Sequence, residues 1–157
     1  MDAYTLLKWV HILSSTVLFG FGAGTAFYFF MAHLGRDART IARVGSMVVV
    51  ADWIFTGTSG VIQPVSGLLL AQTAGYDLSS SWLIVTYVLY VIAFACWAPV
   101  VWLQIRARDL AAIADRDGTP LPPQYFRVMR WWFALGWPAF IGLTAVFWLM
   151  VAKPQLW

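Results

Sequence analysis

Residues Val44–Ala71 read VGSMVVVADWIFTGTSGVIQPVSGLLLA, and the reading of this stretch decides the fold. It is apolar and long enough to cross a bilayer as a helix, because about 20 residues rising 1.5 Å each span the hydrocarbon layer. Five polar residues interrupt it: Asp52, Thr56, Ser59, Gln63 and Ser66. At about 100° per residue, this spacing places all five on one helical face. Lipid offers such a stripe no hydrogen bonds, so it must turn towards other helices or towards water. The rest of the chain has to supply what covers it.

Composition agrees. Of 157 residues, 61% are hydrophobic and 11% charged, against about 25% charged in soluble domains. Mean hydropathy is +0.74. Residues 1–157 form a single membrane domain with four expected spans, at about 4–32, 44–71, 82–105 and 128–152. The fold class is therefore all-α, a four-transmembrane-helix bundle. The apolar run from Trp9 to Ala32 has no small-residue exit, so the first segment reads as a retained span rather than a cleaved signal. RARDLAAIADRDG (106–118) extends the third helix beyond the membrane, with Gly118 as its C-terminal cap.

Charge sets the orientation. There are ten Lys and Arg, and seven acidic residues, all of them Asp. Arg36, Arg39, Arg43, Arg106, Arg108, Arg116, Arg127 and Arg130 fall on one side of the membrane; only Lys8 and Lys153 fall on the other. The positive-inside rule then puts the arginine loops, and the extension of the third helix, in the cytoplasm and both termini outside. The expected location is a bacterial inner (cytoplasmic) membrane, with the bilayer as the main partner. A homodimer or a larger membrane complex is a further expected partner. Nucleic acid is not, since charges alternate in sign along 106–118. Cys96 is the single cysteine, which excludes an intrachain disulfide and a thiolate metal cluster.

Several residues shape the interior. Gly20 and Gly24, with Gly22 between, admit a close neighbour, either a helix backbone or a flat ligand. Pro64 removes an N–H and frees the carbonyl of Gly60; Pro99 and Pro138 act likewise in the third and fourth spans. Trp9, Trp82, Trp131, Trp132 and Trp157 read as interface anchors, whereas Trp53, Trp97 and Trp137 lie deeper. Depth follows from the helical rise: Asp52 is level with Thr25, Trp97 and Trp137, and Gln63 with His11, Tyr87 and Thr144. Asp52 must be paired, hydrogen-bonded or protonated, with Thr25, Gln104 or Arg130 as partners, and serves either as a polar clamp or as a proton relay. His11 is either a metal ligand or a histidine hydrogen-bonded to Gln63 or Tyr87. His33 lies about 33 Å further along the same helix and cannot share a metal with it.

The runs KWVHILSSTVLFGFG, VVVADWIFTGTSGVIQPVSGLLLA, ACWAPVVWLQIRARDLA, WFALGWPAF and FWLMVAKP resemble a bacterial family of predicted integral membrane proteins carrying a domain of unknown function. The likeness covers essentially the whole chain. More distantly, the LKWVHI opening and the PVSGLLL turn resemble HemJ-type protoporphyrinogen oxidases and CopD-type copper-resistance proteins. Those families also place a histidine early in the first helix, and the HemJ-type likeness implies haem b. On that reading His11 is the axial metal ligand, and Lys8, Gln63 and Tyr87 complete a cofactor site in the outer half of the bundle. Three function classes emerge: a redox or haem b-binding membrane protein, a small transporter or proton path along the Asp52–Gln63 stripe, and a structural or assembly subunit. The first is carried forward, with the others as alternatives; whether the protein is an enzyme is left open.

Overall fold

The computed structural model describes residues 2–157, and every regular element among them is helical. Helix α1 is Ala3–Gly35 and α2 is Ala38–Ala51; a π-helical turn, Asp52–Gly57, joins α2 to α3, Thr58–Thr73. Helices α4, Ser81–Asp117, and α5, Pro123–Ala152, complete the chain. Because α2, the π turn and α3 form one continuous rod, Ala38–Thr73, four rods are long and apolar enough to cross a membrane. The four-helix reading holds.

The helices begin earlier and end later than hydropathy alone suggests, because local caps set their ends. The second rod starts at Ala38 rather than Val44, since the Asp37 carboxylate accepts the Thr40 backbone N–H over 2.8 Å. That carboxyl is fully exposed, and the Thr40 hydrogen bonds hold it below the usual carboxylate range. Arg36, at φ +53°, makes the left-handed turn that ends α1. The third rod runs unbroken to Asp117 and is closed by Gly118 at φ +64°, where the Thr119 N–H donates back to the Ala114 carbonyl. Pro123 opens α5 in its first turn, where a missing N–H leaves no helical bond unmade.

Helix α5 packs along α4, α4 along α2, and α1 along both α2 and α3. Aromatic side chains bridge α1 and α5 at two levels. Phe19 stacks on Phe140 at 5.2 Å, and Phe29 and Phe30 meet Trp132 and Phe133 edge-on at 5.6 and 5.4 Å. Two packed regions hold the bundle. At the arginine-loop end, Phe29, Ile41, Tyr125 and Met129 are fully buried and packed with Ala107 and Ala111. Gly45 makes this approach possible, since a Cβ there would sit 3.0 Å from Arg108 Cβ and 3.1 Å from Phe29 Cε2. At the opposite end, Ala71, Trp82, Leu83 and Leu149 form a smaller core.

Gly20, Gly22 and Gly24 do not form a close helix seam, because a Cβ on any of them would meet nothing within 4 Å. They open onto space, and of the three only Gly22 lines the cavity described below.

Candidate functional site

Between the two cores lies a cavity of about 490 Å³. Its walls are mostly apolar and aromatic, with Phe94 and Trp97 from α4 and Trp132, Phe133 and Trp137 from α5. Gly22 and Gly136 both line it, one on α1 and one on α5, and neither has an atom within 4 Å of where a Cβ would lie. The cavity is therefore not sealed by side chains at these two positions.

Its polar end is Asp52, only 3% exposed. The Thr56 hydroxyl, one turn on, donates to Oδ1 over 3.1 Å, and the Thr25 hydroxyl from α1 lies 3.2 Å from the same oxygen. Gln104 of α4 lines the cavity with this carboxyl. Of the three partners considered from sequence, Thr25 is found there, at the matched depth, and Gln104 lines the same cavity. Arg130 is not a partner: its side chain makes no ion pair among the described residues. No lysine, arginine or histidine lines the cavity among the described residues; Asp52 and Tyr90 are its titratable groups.

The backbone that carries Asp52 is unusual. The π turn starts at this residue, and π turns of this kind recur at functional sites because they give up regular i→i−4 bonding. Gly57 lets it close, since a Cβ there would lie 3.3 Å from the Asp52 carbonyl oxygen. Further along, Pro64 has no N–H for the Gly60 carbonyl, as expected. The Tyr90 hydroxyl fills that place, donating to Gly60 O over 2.6 Å. Tyr90 thereby ties α4 to α3 along the cavity wall.

The rest of the polar stripe serves a second network. Thr56, Ser59 and Ser66 are buried with Asp52, and Gln63 is half-buried, so the stripe does face inward. It divides, however. The Gln63 amide N–H donates to His11 Nε2 over 3.1 Å, His11 Nδ1 lies 3.0 Å from Ser66 Oγ, and the Ser66 hydroxyl lies 3.2 Å from the Gln63 carbonyl. Ser14 donates to Gln63 Oε1 over 2.5 Å. Nothing among the described hydrogen bonds joins this ring to Thr56 or Asp52; the π turn lies between α2 and this part of the stripe.

Of the residues expected to hold haem, Gln63 meets His11, while Lys8 and Tyr87 stand apart from it. Both ring nitrogens of His11 already have protein partners, which leaves iron no free lone pair without breaking one of those bonds. The ring also packs against Gly67, where a Cβ would be 2.9 Å from His11 Cε1, so no space for a macrocycle lies on that face. Lys8 is exposed, with its ammonium 5.7 Å from the Tyr4 ring. Tyr87 does not join the ring; its buried hydroxyl has no partner among the described residues. Gly22 lines the Asp52 cavity, not a space beside His11. No group of His, Cys, Asp and Glu among the described residues is arranged to hold a metal.

Three residues of these networks stand apart from the sequence reading. Trp132 is not an interface anchor: it is buried, and its indole N–H is unpartnered on the cavity wall. Its spacing of four from Gly136 and eight from Phe140, both cavity residues, was the available signal. Gln104 was named as an Asp52 partner; what the sequence did not show is that its buried Oε1 has no partner among the described residues. Ser14, three residues after His11 on the same face, completes the Gln63 ring.

The chain belongs to a family of predicted integral membrane proteins, DUF2269, whose profile matches residues 5–154. No curated protein and no solved structure matches it.

Proposed function

We propose that this DUF2269 membrane protein binds a lipid-soluble small molecule, which enters from the bilayer between α1 and α5 and sets its polar end on Asp52. The observation that carries the reading is the pairing of an apolar cavity, open at Gly22 and Gly136, with one buried carboxyl at its polar end. A cavity of about 490 Å³ falls within the roughly 300–1,000 Å³ of ligand sites, which combine apolar walls with a few placed polar groups. An anchor or assembly subunit has no need of that space; filling it with leucine would add packing at no backbone cost. The redox reading persists in one form, since a quinone would be a ligand of this cavity rather than of His11. The transport reading persists in another, since a buried carboxyl at the polar end of the cavity is placed to carry a proton.

The arginine distribution supports placing the arginine loops in the cytoplasm and both termini outside, in a bacterial inner membrane. On that orientation Asp52 lies in the cytoplasmic half of the membrane.

The test is photolabelling in liposomes with a small apolar diazirine, followed by peptide mapping. Labels are expected on Ala93, Trp97 and Trp132, and Gly22→Leu or Gly136→Leu should suppress them, since each side chain enters open space. Labelling confined to the outer, lipid-facing surfaces and unchanged by either variant would overturn the reading.

A further inference from the structure

We infer that the cavity selects a protonated amine with an apolar body, held as the counter-ion of Asp52 in exchange for a proton. This rests on the binding reading above and names the chemistry of its ligand. Three observations converge on it. The first is charge: the cavity lining carries one acid and no base among the described residues, so an ionised Asp52 has no built-in partner in a low-dielectric setting. A proton or an incoming cation can neutralise it, and the two compete for one carboxyl.

The second is an orphan acceptor. Gln104 is 3% exposed, lines the cavity beside Asp52, and its Oε1 has no hydrogen-bond partner among the described residues. A buried carbonyl left unpaired costs about 1–3 kcal/mol, and an ammonium N–H directed at Asp52 is placed to satisfy it. A neutral ketone or ether cannot do so, because it brings only acceptors. The third is the wall. Phe94, Trp97, Trp132 and Trp137 present aromatic faces and edges to the space, a surface that suits both an apolar body and a cation. The unpartnered Trp132 N–H adds a donor for an oxygen on the body of the ligand.

The exchange balances simply. The carboxyl O–H bond of protonated Asp52 breaks and its proton leaves to water; the amine keeps its own N–H bonds and its positive charge. One cation enters for one proton released. Around Asp52, α1 contributes Thr25, α4 contributes Tyr90 and Gln104, and α5 contributes only apolar and indole groups, so Asp52 is the group whose proton is displaced.

The experiment uses the full chain in lipid nanodiscs, with empty nanodiscs as the blank. 4-Phenylbenzylamine is the cationic probe and 4-phenylbenzyl alcohol its neutral counterpart, both followed by titration calorimetry. The amine should bind more tightly than the alcohol, release about one proton in buffers of different ionisation enthalpy, and weaken as pH falls. Asp52→Asn, which keeps the hydrogen-bonding shape, should cost the amine about tenfold or more and cost the alcohol less. Gln104→Leu should weaken the amine further than the alcohol. Equal binding of amine and alcohol, or no effect of Asp52→Asn on the amine, overturns the cation assignment while the cavity reading stands. Failure of both probes to bind, together with photolabelling absent from the cavity, overturns both.

Discussion

Replacing Tyr90 with phenylalanine tests the way this bundle repairs its own kink. In α3, Pro64 withholds the N–H that the Gly60 carbonyl would otherwise accept, and the Tyr90 hydroxyl substitutes for it over 2.6 Å. Gly60 is buried, so removing the hydroxyl strands a carbonyl away from water, at a cost of about 1–3 kcal/mol. The diagnostic quantity is not that loss but its dependence on Pro64. Pro64→Ala returns an N–H four residues after Gly60, and the carbonyl then has a helical donor whether or not Tyr90 is present. Tyr90→Phe should therefore cost markedly less in the Pro64→Ala background, with a coupling of about 1 kcal/mol or more. The assay is equilibrium unfolding of the four proteins in mixed micelles of dodecyl maltoside and SDS. Additivity within about 0.5 kcal/mol would refute the reasoning, because it would mean that the two residues do not serve the same carbonyl.

Gly45→Ala should destabilise the bundle by about 1–3 kcal/mol in the same assay, since the new methyl meets Arg108 Cβ at 3.0 Å and Phe29 Cε2 at 3.1 Å; an unchanged unfolding midpoint would show that the α2–α4 crossing can relax. Gly67→Ala pushes a methyl to 2.9 Å from His11 Cε1, so it should lose stability by a similar amount of about 1–3 kcal/mol, and His11→Ala should relieve that clash. Asp37 is held below the usual carboxylate range by its Thr40 hydrogen bonds. Its contribution is therefore fully present above the unfolded carboxylate pKa and lost as pH falls through the lower, folded value. Hydrogen exchange at the start of α2 should accelerate over that acid window in wild type and be fast throughout in Asp37→Ala. A reporter fused after Trp157 should be active outside the cytoplasm and one inserted at Gly118 inside; the reverse would invert the orientation.

Much of the frame was legible because it depends on quantities that a membrane makes rigid. Four rods arise from four apolar runs, and the fixed rise per residue correctly matched Asp52 with Thr25 and His11 with Gln63. Gly118 closes α4 because its left-handed conformation suits glycine, and Pro64 leaves an acceptor at Gly60 because it has no N–H. Depth along an axis survives in sequence; rotation about it does not. The glycines of α1 lie between the levels of His11 and Asp52, and only the facing of α1 decides that Gly22 opens towards Asp52. The same holds for α5, where Trp131 is 60% exposed and its neighbour Trp132 5%. Within the pair itself nothing marks which indole turns inward; the mark is the spacing of Trp132 from Gly136 and Phe140.

The π turn is the point where sequence and structure part, and it explains why the polar stripe is two sites rather than one path. Regular helix would align Asp52, Thr56, Ser59, Gln63 and Ser66 down a single seam. A π turn at Asp52–Gly57 breaks the regular helical register between the two halves of the stripe; Asp52 and Thr56 line the cavity while Gln63 and Ser66 bond His11. Each half then has a distinct character. The His11 ring satisfies its own donors and acceptors and packs tightly on Gly67, as a clamp between α1 and α3 should. The Asp52 half leaves a carboxyl without a base, a glutamine oxygen and an indole N–H without partners, and open space beside two glycines. Each feature departs from what a purely structural bundle would keep, and local departures of this kind are expected to gather where a protein binds something. Their coincidence around one cavity, and their absence around His11, is the ground for assigning binding to the first network and structure to the second.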